Sequence, residues 1–399
     1  MTALLPTRRY DLDWLRVIAF LILILYHTGM FYVTWDWHVK SVHAGPDAEW
    51  LMMLTNPWRL SLLFFISGIA LRFLADKGEI AGRMKERAFR LGLPIAFGMA
   101  IIVAPQSWLE LVETGEFSGS FWAFWPQYLN FGSDFSIITP TWNHLWYVVY
   151  LLVYTMMLLP LATPVRRFMA ARGGRWCAVV FSRKLGLLSV MALPVLPHVL
   201  IRLTLDPHFP TTHNLAWDWA NHAHSLTMVV LGFVLAKEDT FWSTVRRAMP
   251  TALTLTITLG VGLSILWAQW DTLEASGDWN WMIWPARIAR LAYAWLVILS
   301  LLGLSARFLN RDSTVLRYLT EAVFPWYILH QTITILAGFW LTRQGLSVGV
   351  EATLVILATI LGCAVLHEVF IRRIGWVRPL FGLKPKTAVR ESITVKTAL

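Results

Sequence analysis

The segment LDWLRVIAFLILILYH, residues 12–27, decides the fold because it is an almost unbroken apolar run that carries one arginine and one histidine. A helix needs about 20 mostly apolar residues to cross a bilayer, and this run extends over 14–34. Arg16 and His27 are eleven residues apart, roughly three full helical turns, which puts them on one helix face about 16 Å apart along the axis. The segment therefore predicts a membrane-spanning helix with two polar groups along a single face.

Composition extends this interpretation to the whole chain. Of its 399 residues 57% are hydrophobic and 15% are charged, whereas a soluble domain carries about 25% charged residues. These values exclude a water-soluble globular enzyme and a disordered chain. Two cysteines, Cys177 and Cys363, are too few for a disulfide framework or a zinc cluster, and we predict no metal site.

The apolar segments predict an all-α, polytopic integral membrane protein with about ten transmembrane helices. The domain prediction is a transmembrane domain over 1–375, followed by a basic cytoplasmic tail over 376–399. The sixth span is short and is the weakest of the set. The predicted spans are 14–34, 54–74, 91–108, 144–163, 185–204, 222–237, 250–269, 283–304, 320–341 and 350–371.

Lysine and arginine predict the orientation of these spans. Alternate loops between the predicted spans lie on opposite sides of the membrane. Of the 34 Lys and Arg residues, 27 lie in or beside the loops and termini of one side, whereas the loops of the other side hold only Lys40 and Arg343. Because basic loops stay in the cytoplasm, we expect both termini there. The net charge of +10 is then a consequence of topology, and nucleic acid is not expected as a partner.

Five arginines remain inside predicted spans, where an ionisable group costs at least ~2.5–3.5 kcal/mol near the bilayer centre. Arg16 and Arg202 lie near span ends, so their side chains could extend to the membrane surface. Arg59 fits that explanation less well, and so does the pair Arg287 and Arg290, which shares one helix face. Such residues are expected to line a cavity or to serve a function.

Five motifs in consistent order resemble the acyltransferase 3 family, integral-membrane proteins that O-acylate sugars. The first is the arginine, ten residues and histidine of the opening segment. The last resembles the branch that succinylates bacterial periplasmic glucans. After the opening segment the motifs are LFFISGIAL at 63–71, RAFRLGLP at 87–94, TWNHLWYVVYLLVY at 141–154 and EAVFPWYILHQTI at 321–333.

The resemblance implies a donor, an acceptor and a location. The Arg-x-x-Arg element, Arg87 and Arg90, together with Arg83, would bind cytoplasmic acyl-coenzyme A, either succinyl-CoA or acetyl-CoA; plain positive-inside charge is the alternative. No permanently bound cofactor is expected. The acceptor would be a glycan outside the bacterial inner membrane. The lipid bilayer is the remaining expected partner, and a homo-oligomer is left open.

Acyl transfer to a hydroxyl needs a proton acceptor and a group that stabilises the oxyanion, for which imidazole and guanidinium are suited. We predict His27, Arg16 and His330 as the catalytic residues, with the two histidines at similar depth. The alternative is that these histidines are packing residues. Residues expected near the acceptor or behind the catalytic groups are His144, Trp142, Glu321 and Asp13.

Two questions stay open at the level of sequence. His27 could activate a sugar hydroxyl directly, or it could be acylated transiently and pass the group outward. A transporter or channel would also carry intramembrane Arg and His residues along its permeation path. Most of the 23 tryptophans lie toward the predicted outer side, where indole rings would suit sugar faces or a membrane interface.

Overall fold

The computed structural model describes residues 8–132, 135–182, 185–276 and 280–385. Within these ranges the regular structure is helical, as the all-α prediction requires, and the end of the predicted tail, 386–399, lies outside them. The α-helices are α1 (Tyr10–Met30), α2 (Glu49–Ala75), α3 (Ile80–Phe97), α4 (Ala104–Glu113), α5 (Phe121–Tyr128), α6 (Trp146–Phe168), α7 (Gly174–Ser182), α8 (Gly186–Ala192), α9 (Val195–Thr204), α10 (Trp219–Leu235), α11 (Asp239–Ala268), α12 (Trp270–Ser276), α13 (Ile283–Phe308), α14 (Thr314–Leu341) and α15 (Val348–Leu366).

Nine helical segments of the described chain are long and apolar enough to cross a membrane. They correspond to nine of the ten predicted spans. The tenth, predicted at 222–237, forms the shorter helix α10, whose 17 residues extend about 26 Å. Lys237, two residues past the end of α10, contacts Asp76 in the connection from α2 to α3. Helix α10 therefore runs from the level of the cavity described below to that connection.

Helices α2 and α10 pack unusually closely because each presents a glycine to the other. A Cβ atom added at Gly68 would lie 2.0 Å from the carbonyl oxygen of Val229, and one added at Gly232 would lie 2.0 Å from that of Phe65. Small residues allow such backbone contact between helices in a membrane. This contact explains how a helix as short as α10 is held within the bundle.

The third and fourth predicted spans belong to longer, interrupted helices. Helix α3 continues through a π-helical turn, Gly98–Ile102, into α4, which reaches Glu113. Helix α6 continues through a second π-helical turn, Met169–Gly173, into α7. The predicted loop 109–143 therefore contains the end of α4 and all of α5. Sequence periodicity does not reveal π-turns, which insert a residue into an otherwise regular apolar pattern.

Charged residues cluster where α2, α6 and α10 end. Asp76 contacts Lys237, Arg72 and Arg166. Burial alone would raise the pKa of Asp76, but hydrogen bonds from Lys237 and Arg72 outweigh it and hold that pKa below its usual value. This ion cluster ties the ends of the helices together on the side predicted to be cytoplasmic.

The packed structure continues past residue 375, where the transmembrane domain was predicted to end. The short 3-10 turn Arg378–Phe381 brings the ring of Phe381 to 5.4 Å from that of Phe97, centroid to centroid. The carbonyl oxygen of Gly382 accepts a hydrogen bond of 2.8 Å from Arg90, and Leu383 is buried. The segment 381–383 of the predicted tail thus packs against the helical bundle.

Candidate active site

A cavity of about 770 Å³ lies between α1, α2, α6, α9, α10, α13 and α14. Helices form most of its floor and walls, Trp37 and His38 of the α1–α2 connection form part of one wall, and the segments 138–143 and 211–214 line its mouth. Both segments connect helices on the side predicted to face outward. The cavity is large enough for a ligand of several sugar or acyl units.

His27 and His330, which the sequence places at similar depth, meet at this cavity. The Nδ1 atom of His27 lies 2.8 Å from the Nε2 atom of His330, and the two rings stack with an interplanar angle of 10°. His27 lines the cavity, whereas His330 is fully buried behind it. The pair therefore presents one imidazole to a ligand and keeps the other as a support.

The hydrogen bonds determine which nitrogen carries a proton in the neutral pair. The Nδ1 atom of His330 lies 2.7 Å from the carbonyl oxygen of Tyr327, and only an N–H group can donate to that oxygen. The Nε2 atom of His330 is then the acceptor, and the Nδ1 atom of His27 donates to it. The Nε2 atom of His27 is left with a free lone pair and can accept a proton from a substrate.

His144 lines the same cavity but both of its ring nitrogens are engaged. Its Nε2 atom donates to the carbonyl oxygen of Ile328 at 3.1 Å, and its Nδ1 atom accepts from the Gln106 amide at 3.4 Å. Gln106 also bonds to Thr332 at 2.7 Å. His144 is therefore a less suitable proton acceptor than His27, and its position fits the predicted contact with an acceptor or the positioning of neighbouring groups.

The connection between α1 and α2 folds over His27. The ring centroid of Trp37 lies 5.4 Å from that of His27, and both residues line the cavity. The neighbouring His38 bonds to Glu110 at 2.5 Å and to Gln331 at 3.2 Å. These contacts fix one wall of the site with groups from α4 and α14, a long-range arrangement that sequence spacing does not show.

Arg16 lies at the opposite end of α1 and pairs with Asp13 at 3.3 Å. Both residues lie outside the cavity lining. Three buried rings separate Arg16 from His27: the Phe20 centroid is 6.2 Å from that of Tyr147 and 5.2 Å from that of Tyr327. The prediction that Arg16 and His27 share a helix face agrees with the helix, but the structure does not bring them together.

The three arginines predicted to bind the donor lie on α3. Arg87 and Arg90 are both partly buried and are close enough to each other and to Arg16 to interact electrostatically. Arg83 instead bonds to Glu86 at 2.8 Å and to the carbonyl oxygen of Lys77. The structure therefore groups Arg16, Arg87 and Arg90, with Arg83 at the margin.

Two of the predicted residues near the acceptor need correction. Glu321 bonds to Arg378 at 2.9 Å and lies outside the cavity, because nine residues of regular helix place it on the face of α14 opposite His330. Asp13, on the predicted cytoplasmic end of α1, cannot contact an acceptor in the cavity, and the structure places it instead beside Arg16. Trp142 does line the cavity, and its indole N–H donates to the carbonyl oxygen of His213 at 3.0 Å.

A second histidine pair lines the cavity and was not predicted. The Nδ1 atoms of His198 and His224 lie 2.9 Å apart, and His224 also contacts Asp206. His222 points elsewhere, toward Tyr154 at 2.8 Å. The pair joins α9 to α10, and its 26-residue separation gives no periodic signal. Among the described residues, His, Cys, Asp and Glu form no group of three with the arrangement of a metal site.

Buried arginines are the other feature that sequence reasoning identified only in part. Arg59, Arg202 and Arg290 all line the cavity. Arg59 stacks on the ring of Tyr26, with its guanidinium carbon 3.2 Å from the ring centroid. The sequence singles out these residues because a charged arginine in a membrane span is energetically costly. That all three line the same cavity depends on how α2, α9 and α13 pack together, which the sequence does not show.

Comparisons with known proteins identify the family of the chain. Residues 9–368 match the model of the acyltransferase 3 family, which is described as an acyltransferase domain. No solved structure matches the chain. Relatives named Glucans biosynthesis protein C include one from Salmonella typhimurium, 23% identical over 99% of this chain and 100% of its own length. Another, from Salmonella typhi, is 24% identical over 96% of this chain and 97% of its own. The chain thus belongs to the acyltransferase 3 family and is a multi-pass membrane O-acyltransferase.

Proposed function

We propose that this enzyme transfers a succinyl or acetyl group from cytoplasmic acyl-coenzyme A to a hydroxyl group of a glycan on the outer side of a bacterial inner membrane. The acceptor we favour is an osmoregulated periplasmic glucan, because the relatives that span the whole chain are named for glucan biosynthesis. O-acetylation of lipopolysaccharide or exopolysaccharide is the alternative. The observation that carries the proposal is the His27–His330 pair at the cavity.

The chemistry follows from the protonation of this pair. The Nε2 lone pair of His27 takes the proton of a sugar hydroxyl, and the alkoxide oxygen attacks the thioester carbonyl. The C–S bond then breaks, and the leaving thiolate regains a proton from the imidazolium. His330 and the carbonyl oxygen of Tyr327 hold the His27 ring in the required tautomer and disperse its positive charge.

A two-step route uses the same residues. The Nε2 atom of His27 attacks the thioester carbonyl and the C–S bond breaks, giving a thiolate and an acyl-imidazolium that keeps its Nδ1–H group. The sugar hydroxyl oxygen then attacks the acyl carbon, the N–C bond breaks, and the hydroxyl proton neutralises the thiolate. This route requires the pantetheine arm to reach His27 before the acceptor binds. Trapping of acylated His27 in the absence of acceptor, detected by mass spectrometry of the rapidly quenched protein, would distinguish it from direct transfer.

The donor side of the proposal depends on Arg16, Arg87 and Arg90. Guanidinium groups bind phosphates through paired hydrogen bonds, and a coenzyme A ester carries several phosphate charges. The pantetheine arm would pass the rings of Phe20, Tyr147 and Tyr327 to reach His27. Side-chain movement in this layer is therefore part of the proposed donor path.

Sealed vesicles of known orientation test the proposal. Acyl-coenzyme A is supplied to one side only, and acylation of a neutral glucan on the other side is measured by mass spectrometry. We expect transfer only when the donor is on the side of Arg87 and Arg90. Equal transfer from both sides would contradict transmembrane delivery, and no transfer to any glycan would contradict the acceptor class.

A further inference from the structure

The charged side chains that line the cavity beside His27 are all positive. Three arginines line it, and among its described lining residues there is no aspartate or glutamate. The carboxylates that contact lining residues are already engaged with protein groups. Asp206 pairs with Arg202, Glu110 with His38, and Asp218 with Tyr150 and Asn221. The charges of Arg59 and Arg290 are therefore not neutralised by these carboxylates.

Arg59 is the most informative of the three arginines because it is only 6% exposed. Its Nε and Nη1 atoms are buried and have no hydrogen-bond partner. The ring of Tyr26 offers a cation–π contact, which offsets only part of the desolvation of a buried cation. A charged side chain at a ligand cavity that keeps unused N–H donors is poised to bind an anion.

Arg290 extends this positive region from α13. It donates to the side-chain oxygen of Asn56 at 2.8 Å, while its Nε atom has no partner. Asn56 in turn donates to the Tyr26 hydroxyl at 2.8 Å, so one polar chain links Arg290 to the ring beneath Arg59. Arg59 is close enough to interact electrostatically with both Arg290 and His27.

We propose that Arg59 and Arg290 form a binding site for a carboxylate or phosphate group of a substrate, next to the reacting atoms at His27. The inference rests on the proposed function in one respect, that the cavity receives substrate. The anion could belong to either substrate: the free carboxylate of a dicarboxylic acyl group, or an acidic substituent of the acceptor glycan. Either source makes this cavity selective for a charged substrate over its neutral counterpart.

Ligand binding tests the site without relying on catalysis. The full-length protein in lipid nanodiscs is unfolded by heat with succinate or its neutral diamide, and with glucose 6-phosphate or glucose, at matched ionic strength. We expect an anionic probe, and not its neutral partner, to raise the Tm. Arg59→Gln and Arg290→Gln should each remove that increase. The matched control is Arg287→Gln, because Arg287 lies one helical turn from Arg290, is exposed and does not line the cavity.

Turnover then identifies the source of the anion. With a neutral glucan as acceptor, a site for the acyl carboxylate predicts that Arg59→Gln lowers kcat/KM at least tenfold for succinyl-CoA and less than threefold for acetyl-CoA. A site for the acceptor predicts equal effects on both donors and a selective loss with a phosphorylated glucan. Arg59→Lys, which keeps the charge but not the paired geometry, guards against misfolding and should show an intermediate loss.

The outcomes separate this inference from the proposed function. If no anionic probe stabilises the wild-type protein, or if stabilisation persists in both glutamine variants, the anion site is wrong. If succinate binds through Arg59 but no acyl-coenzyme A supports transfer, the site is supported and the proposed function is wrong. Equal losses with charged and neutral forms of both substrates would also overturn the inference.

Discussion

The two ends of α1 present opposite kinds of chemistry. At one end His27 is held by a chain of hydrogen bonds through His330 to a backbone carbonyl, which fixes a single tautomer. At the other end Arg16 stands near Arg87 and Arg90, on partly exposed surfaces with charge available for a ligand. Under the proposed function, the first region orients one reacting atom and the second attracts the polyanionic donor.

Replacing His27 is the severest test of the first region. We expect His27→Ala to lower kcat by about 10²–10⁴-fold, because a positioned general base contributes that much and a nucleophile would contribute no less. The measurement is release of free coenzyme A thiol by purified protein in the presence of glucan. Activity within tenfold of the wild type, in protein with an unchanged Tm, would make His27 a packing residue.

Substitutions in the second region, around Arg87 and Arg90, should change KM for the donor rather than kcat. Removing both guanidinium groups with Arg87→Ala and Arg90→Ala should raise KM for acyl-coenzyme A at least tenfold, because each charged phosphate contact is worth roughly 1.5–3 kcal/mol. Arg172→Ala, an exposed basic residue in the connection between α6 and α7, is the matched control and should leave KM unchanged. An unaltered KM in the double variant would contradict the proposal that Arg87 and Arg90 on α3 bind acyl-coenzyme A.

Replacing His330, which orients His27, should lower kcat less than replacing His27 itself. His330→Leu removes the acceptor of the His27 Nδ1–H group, and we expect a loss in kcat of about tenfold, the kinetic equivalent of ~1.4 kcal/mol. His330→Gln retains a carbonyl oxygen that can accept the same proton and should lose less. Measured kcat values in the reverse order would contradict the orienting role of His330.

The smallest expected effect lies at the mouth of the cavity. Trp142→Ala should raise KM for the glycan by about threefold to tenfold, since an aromatic contact is worth ~0.5–1.5 kcal/mol. Trp122→Ala is the control, because Trp122 is 73% exposed and does not line the cavity. Equal changes in both variants would show that the tryptophans act in general membrane anchoring and not in acceptor binding.

Helical periodicity and depth were sufficient to predict much of this arrangement. Counting residues put Arg16 and His27 on one face of α1 and brought His330 to the depth of His27, whereas Glu321 was wrongly expected beside the acceptor or the catalytic groups. These predictions depend on regular helix, and α14 remains continuous through Pro325. The aromatic layer, the His198–His224 pair and the contacts of the α1–α2 connection depend on which helices become neighbours, which one sequence does not encode in its spacing.

The pair of glycines between α2 and α10 also restricts how a substrate can arrive. With Gly68 and Gly232 bringing the two backbones into direct contact, no acyl chain of a lipid can slip between these helices at that depth. A lateral gate from the bilayer is therefore closed along this seam. A lipid-linked sugar therefore has no way into the cavity between α2 and α10, whereas a free glycan that enters at the mouth lined by 138–143 and 211–214 does not depend on this seam.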